Sequence, residues 1–265
     1  MLTIDTYLRP QSLDEAWEAA QKKNSAVLGG MLWLRLGDRR IGTAIDLSDL
    51  GLDRVEDTGD SWQIGAYTTL RTLETHPGLA DTYHGVLAKT VSPIVGVQFR
   101  NLATVGGSVF GRFGFSDVLT TLMALHATVT LYKAGTMPLV DFAQMEMGKT
   151  KDILTHVTIP KGVRAAACYA QRNTATDFPV LNTCVARHED TLTVVVGARP
   201  LRACPYTFQL PTDPDAEQCL AQNIAAEVAE QCVFADNRRA SAAYRQHLCQ
   251  VLVRRAVNDV LQEEK

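Results

Sequence analysis

The sequence predicts an α+β fold in two parts, and three observations carry that reading. Over roughly the first 50 residues, strand-like and helix-like segments alternate as β-α-β, the rhythm of a small parallel sheet. After the turn Pro160-Lys161-Gly162, three strand-like segments at 167–172, 180–187 and 192–197 read as an antiparallel meander. Two amphipathic segments then close the chain at 217–234 and 240–261 as helices backing that sheet.

Taken in order, residues 7–10 read as an opening strand and turn. Ser12 followed by Glu15 forms a capping box for a helix whose apolar face is Leu13, Ala16, Trp17 and Ala20. Val27-Leu28 is a strand running into Gly29-Gly30, residues 31–36 read as a short buried helix, and 43–47 as the next strand. A hairpin is expected from 52–55 to 61–66 across the polar turn 57–60. Helical stretches follow at 69–75 and 85–90, the second broken by Ser92-Pro93. Ala103-Thr104-Val105 reads as a short strand entering a second pair, Gly106-Gly107. An apolar helix at 118–125, capped by Ser116 or Asp117, precedes strands at 127–132 and 153–159.

Composition removes several function classes. The chain has 265 residues, enough for one large domain or two smaller ones, with 46% hydrophobic and 21% charged residues, as in ordinary globular proteins. A net charge of −3 without a dense Lys/Arg run argues against nucleic acid. No apolar run approaches a membrane span, and the N-terminus lacks a signal-peptide pattern, so a cytoplasmic protein is expected. The six cysteines, Cys168 to Cys249, form no C-x-x-C, which leaves them as free thiols and mostly buried small hydrophobes. The six histidines are scattered and read as surface or capping residues.

Most familiar site motifs are missing. There is no G-x-G-x-x-G, no G-x-S-x-G and no evident acid/base carboxylate couple. Gly148-Lys149-Thr150 resembles the end of a P-loop, but Ala143 stands where the first glycine belongs. The two glycine pairs remain. A glycine pair after a strand can converge several N–H groups into an anion-binding concavity, although either pair taken singly is a common turn. Two pairs with similar flanks suggest one shared polyanionic ligand, in a site that leaves the chemistry to a cofactor.

The quoted residues carry a family resemblance. The chain resembles the FAD-binding subunit of the molybdenum hydroxylases, the xanthine dehydrogenase and carbon monoxide dehydrogenase family. That family has a strand–Gly-Gly-Thr-Asp loop and a later Ala-Thr-Ile-Gly-Gly-Asn-Ile segment; here they are Leu28-Gly29-Gly30-Met31-Leu32 and Ala103-Thr104-Val105-Gly106-Gly107-Ser108-Val109. Its Arg-Pro-x-Ser-Leu-x-Glu-Ala is matched by residues 9–16, its Ile-Asp-Leu by Ile45-Asp46-Leu47, and its Ile-Gly-Ala by Ile64-Gly65-Ala66. Asp177-Phe178-Pro179-Val180 and the segment 239–248 extend the match nearly to the C-terminus.

The resemblance implies a PCMH-type FAD-binding domain at 1–160, of two α+β subdomains at about 1–55 and 56–160. A C-terminal domain with a three-stranded antiparallel sheet and helices would occupy 163–265. It also implies roles. The N–H groups of 28–33 (Leu28, Gly29, Gly30, Met31, Leu32, Trp33, entered from Val27) and of Gly106-Gly107, with Ser108 beside them, would hold the FAD pyrophosphate. Thr104 and Asp117 would bond the ribityl chain or phosphate region, and Ile94 and Leu154 would lie near the flavin or adenine. Read from the residues alone, Asp117 is equally a helix cap, Ile94 and Leu154 ordinary core, Trp33 a packing residue, and Arg172–Asp177 a structural ion pair.

By the same resemblance, electrons would come from the [2Fe-2S] clusters of an iron–sulfur partner, downstream of a molybdopterin subunit, and leave to NAD or another acceptor. The sequence departs from the family at Met31-Leu32, which replace Thr-Asp, at Ser108, which replaces Asn, and in the bulky 112–115. No lysine occurs in 169–172, where some relatives carry one near the flavin, and no Cys-rich insertion adds a further cluster. A flavin-free scaffold subunit and a stand-alone flavin oxidoreductase are the rival readings.

Overall fold

The computed structural model describes residues 1–146, 151–211 and 219–262. The motif-like Gly148-Lys149-Thr150 and the start of the expected helix at 217–218 lie outside the described residues. In chain order the elements are β1 (Thr3–Leu8), α1 (Leu13–Gln21), β2 (Ser25–Val27), β3 (Arg40–Ile45), β4 (Val55–Asp57), β5 (Ser61–Gly65), α2 (Leu70–Thr75), α3 (Pro77–Thr82), α4 (Val86–Val91), α5 (Val97–Arg100), α6 (Val105–Phe110), α7 (Asp117–Ala124), β6 (Thr128–Leu131), β7 (Gly135–Pro138), α8 (Leu139–Gln144), β8 (Leu154–Pro160), β9 (Val163–Arg172), β10 (Pro179–His188), β11 (Thr191–Gly197), β12 (Cys204–Gln209), α9 (Leu220–Gln231) and α10 (Ala242–Gln262).

Three sheets result. The first is parallel, in the order β1-β3-β2. Ser12 starts its crossover helix by accepting from the Glu15 N–H at 3.2 Å, while Glu15 reaches back to the Gln11 N–H at 2.7 Å. The second sheet is antiparallel, β4-β5-β8-β6-β7, and the late strand β8 forms its centre. The helices α2 to α7 lie between β5 and β6 in the chain, and Leu70, Leu79, Val105 and Leu122 pack with Ile64, Val129 and Val157 into the largest core.

The third sheet is β12-β11-β10-β9. One face packs Val185, Val194 and Val196 against Ile224, Val228, Leu252 and Val257 of α9 and α10. The other face sends Cys184, Ala186 and Val195 into the large core beside α4 and α7. Burial on both faces explains why 179–186 is buried at every position instead of alternating. Arg245, fully buried at the start of α10, donates to the carbonyls of Val180, Ala235 and Ala240 and to Asn237, tying this layer together. Among the described residues no helix is long and apolar enough to cross a membrane.

Several local expectations change. The meander has a fourth strand, β12, at its edge, in addition to the three expected. The opening strand spans 3–8 rather than 7–10. Residues 31–36 are no buried helix: Gly30 and Met31 take left-handed φ values of 75° and 58°, only a 3₁₀ turn forms at Leu34–Leu36, and Leu36 is 73% exposed. The second glycine pair does not follow a strand; both glycines lie in the first turn of α6. Ser116 caps α7, accepting from Leu119 N at 3.2 Å, and Asp117 is the first helical residue. His76 caps α3 and His126 is exposed, as expected of capping and surface residues, while His188 is half-buried and stacks face to face with His126 at 3.7 Å. Cys184, Cys232 and Cys249 are buried thiols, while Cys219 is exposed.

Candidate functional site

The site is the seam where the first sheet meets the helices of the second. β2 ends at Val27, and the Leu28 N–H makes a last bond to Ile45 O at 2.8 Å. The Tyr67 hydroxyl then clamps the strand end: it donates to Leu28 O and accepts from Leu47 N at 3.0 Å, and burial pushes its pKa up to about 12. Beyond this clamp the left-handed pair Gly30-Met31 turns the chain out of the sheet. Among the described residues, the N–H groups of Gly29, Gly30, Met31, Leu32 and Trp33 have no protein acceptor. Five consecutive donors left open by the fold are a standing request for an anion.

The second glycine pair is used differently. The Gly106 N–H donates to Ala66 O at 2.7 Å, and the Gly107 N–H to the Thr104 hydroxyl at 3.1 Å. The expectation that these two N–H groups hold a pyrophosphate is therefore corrected, because the helix start has already consumed them. What the pair provides is closeness. A Cβ on Gly107 would sit 3.2 Å from Gly29 O, and one on Gly106 would sit 2.7 Å from Ala66 O. A Cβ on Gly30 would overlap the Leu102 carbonyl. At Gly30 and Gly106 backbone lies on backbone and only glycine permits it, while at Gly107 the approach is tight. Thr104 caps α6 with its oxygen lone pair, which leaves its hydroxyl proton free to donate to a ligand.

Between the two loops lies a cavity of about 760 Å³. Val27, Leu28, Gly29, Met31, Leu32, Trp33, Ile94, Thr104, Gly106, Gly107, Ser108, Asp117 and Leu154 all line it. Gly30 does not; it shapes the turn against Leu102. Leu154 is also core, buried in the large cluster, and Ile94 packs at that cluster's edge.

The Asp117 carboxylate is not open to a ligand as expected. It accepts from Arg172 Nη2 at 2.8 Å and from Asn182 Nδ2 at 2.8 Å. Burial pushes its carboxyl above the ordinary carboxylate range, against the opposing pull of Arg172 and Asn182. Arg172 and Asp177 are linked, but through the Asp177 carbonyl at 2.7 Å; the Asp177 carboxylate pairs with Arg239 at 3.1 Å. Sequence reasoning missed Tyr67, Phe115 and Phe178 as parts of this site. Phe115 and Phe178 meet Trp33 from two other segments, and no local pattern announces such a meeting.

Comparison with known proteins identifies the family. Residues 2–162 match the pattern of the FAD binding domain in molybdopterin dehydrogenase, and residues 165–260 that of the CO dehydrogenase flavoprotein C-terminal domain. The uncharacterized protein YgfM of Escherichia coli (strain K12) is 24% identical over 262 residues, covering 94% of each chain. The nicotinate dehydrogenase FAD-subunit of Eubacterium barkeri is 30% identical over 184 residues, covering 62% of this chain and 61% of its own. Among solved structures, a chain of quinoline 2-oxidoreductase from Pseudomonas putida 86 superposes with a TM-score of 0.84 at 18% identity, over 97% of this chain and 96% of its own. A chain of the Cu,Mo-CO dehydrogenase gives 0.82 at 21% identity over 99% of both. These two likenesses show the fold.

Proposed function

We infer the role of this chain from its family: it belongs to the FAD-binding flavoprotein subunits of the molybdenum hydroxylases, and we propose that it carries electrons within a multi-subunit, xanthine dehydrogenase-like enzyme. Electrons would arrive from a [2Fe-2S] partner subunit, downstream of a molybdopterin subunit, and leave to NAD or another acceptor. The observation that carries this reading is the run of five N–H groups, 29–33, without a protein acceptor among the described residues, four of them on residues that line the large cavity.

The residues present fit FAD. About 760 Å³ lies within the range of small-molecule sites, roughly 300–1,000 Å³. The cradle between Gly29 and Gly107 is one that a Cβ would crowd. Replacing Thr-Asp by Met31-Leu32 removes two side-chain groups but no backbone donor, so the loop keeps the groups that suit a pyrophosphate.

In this reading the N–H groups of 29–33 bind the pyrophosphate, the Thr104 hydroxyl donates to an oxygen of the linker, and Ile94 and Leu154 give apolar contacts. Asp117 acts at one remove, fixing Arg172 and Asn182 at the junction of the two parts of the chain. When bound, FAD accepts electrons in pairs or singly, which suits it to stand between a one-electron cluster and a two-electron acceptor. The chain orients it, excludes water with Leu28, Leu32 and Leu154, and supplies the fixed dipoles around it. The test is flavin retention: the full chain, purified and passed through a desalting column with added FAD, should hold one FAD per chain by absorbance. A chain that takes up none defeats the reading. NADH-dependent reduction, with and without the partner subunits, then separates the subunit role from that of a stand-alone oxidoreductase.

A further inference from the structure

Four aromatic rings gather at one end of the cavity, from three distant segments. Trp33 follows the first glycine pair, Phe113 and Phe115 sit between α6 and α7, and Phe178 comes from the loop before β10. Trp33 stacks on Phe178 with centroids 5.2 Å apart and planes 24° apart. Phe115 meets Phe178 edge-on at 4.7 Å and stacks on Phe113 at 5.2 Å. On Phe178, the Arg239 guanidinium lies 5.1 Å from the ring centre, anchored in turn by Asp177. The indole is thus held in place by packed neighbours. Yet Trp33 is 53% exposed and lines the cavity. A large rigid ring held in place with half its surface uncovered, on a cavity wall next to five open N–H donors, is surface waiting for another ring.

We propose that Trp33 is the stacking wall for the flavin ring, with Phe178 and Phe115 as the positioning residues that fix the indole. The proposal rests on reading the cavity as the FAD site. The tricyclic flavin ring, rather than adenine, is the match because it is the wider of the two and the wall holds more than one uncovered ring, Trp33 at 53% and Phe113 at 40% exposed. Trp33 also ends the run of open donors, so a ring tethered to an anion held there lies within reach of it.

Fluorescence provides the test, because an indole in contact with flavin quenches its emission. With the full chain saturated with FAD and freed of excess, bound flavin should emit less than free FAD at equal absorbance. Trp33→Leu should raise that emission several-fold while FAD stays bound, with affinity weakened by about ten-fold. Phe178→Leu should raise it less, by loosening the indole, and far-ultraviolet circular dichroism confirms that each variant is folded. Unchanged emission and lifetime in Trp33→Leu overturns the proposal while leaving the FAD site intact. If Trp33 faced adenine instead, flavin emission would be indifferent to the substitution while ADP competed less well for the site, and that outcome also overturns it. A wild-type chain that takes up no FAD removes the underlying site, and the inference with it.

Discussion

The two glycine loops have nearly the same sequence pattern and do opposite work. At Gly29-Gly30 the chain leaves a sheet through the left-handed residues Gly30 and Met31, and five N–H groups are left without an acceptor among the described residues. At Gly106-Gly107 the chain enters a helix, and the glycine N–H groups are consumed by Ala66 O and the Thr104 hydroxyl. One loop offers donors; the other offers absence of side chain, letting the first come within backbone contact. The lesson is that a glycine pair beside a ligand has two physical uses, donor display and close approach, and that the hydrogen-bond partners of its own N–H groups tell them apart.

Substitutions separate the two uses, and the largest effect belongs at Gly30. It has φ 75°, and any Cβ there overlaps the Leu102 carbonyl. Gly30→Val should cost about 3 kcal/mol or more in a urea melt of the FAD-free chain, because backbone strain and a rigid clash add. A variant that melts like the parent would show that the turn is not needed. Gly107→Val comes next. Its Cβ meets Thr104 Oγ1 at 3.1 Å and Gly29 O at 3.2 Å, contacts that yield by small shifts, and Gly107 itself is solvent-exposed. About 1–2 kcal/mol of stability should go, while FAD retention should be lost outright, since the cradle is what the new methyl groups fill. Melting the chain with and without FAD distinguishes the two losses, because a ligand that binds only the folded state adds stability in proportion to its affinity.

Thr104→Val is a smaller and more discriminating change. The Gly107 N–H loses its acceptor, so the cap should cost about 1 kcal/mol. If the hydroxyl proton serves FAD as well, affinity should fall by about ten-fold, and Thr104→Ser should restore both properties. Loss of stability in Thr104→Val without loss of affinity would confine Thr104 to the cap.

How much of this was legible in the sequence follows from the kind of signal each feature leaves. The glycine pairs, the Ser12 cap and the two C-terminal helices were legible because each is a local rule about backbone or periodicity. The edge strands β7 and β12 were not, since each contains a proline (Pro138, Pro205) that demotes a strand reading and is tolerated only at an edge. The apolar run 31–36 read as helix because hydrophobicity alone does not distinguish residues facing a core from residues facing a cavity. Asp117 was visible as a site residue, but its partners Arg172 and Asn182 lie in another sheet, so its engagement was invisible. The Trp33, Phe115 and Phe178 cluster has the same cause: contact across segments is a property of the fold.

Titration with pH tells whether flavin binding and folding fail together. Neither 28–33 nor 104–108 contains a titratable side chain, so acid should reach the glycine loops only through the rest of the fold. The responsive element is the stacked pair His126 and His188, which joins the end of α7 to β10 and β11. His126 Nε2 lies 2.7 Å from Thr193 Oγ1, and His188 Nε2 donates to Ala124 O at 2.9 Å. Burial lowers the His126 pKa from 6.5 to about 4 and lowers that of His188 as well. Between those two values the unfolded chain binds a proton that the folded chain refuses, so stability is complete above pH 6.5 and declines as pH falls toward 4. Because His126 is partly exposed, solvent screening holds the loss to about 1 kcal/mol. Asp117 works with the opposite sign: its raised pKa means that the folded chain takes a proton first, and its contribution to stability improves on acidification. In the His126→Asn, His188→Asn double variant the decline between pH 6.5 and 4 should therefore become shallower, with the remainder belonging to His156, whose pKa burial also lowers. FAD retention across the same range should follow the melting curve of each protein; flavin released well above the unfolding transition would show that the cradle itself is acid-sensitive, and that the division of labour between the two loops is incomplete.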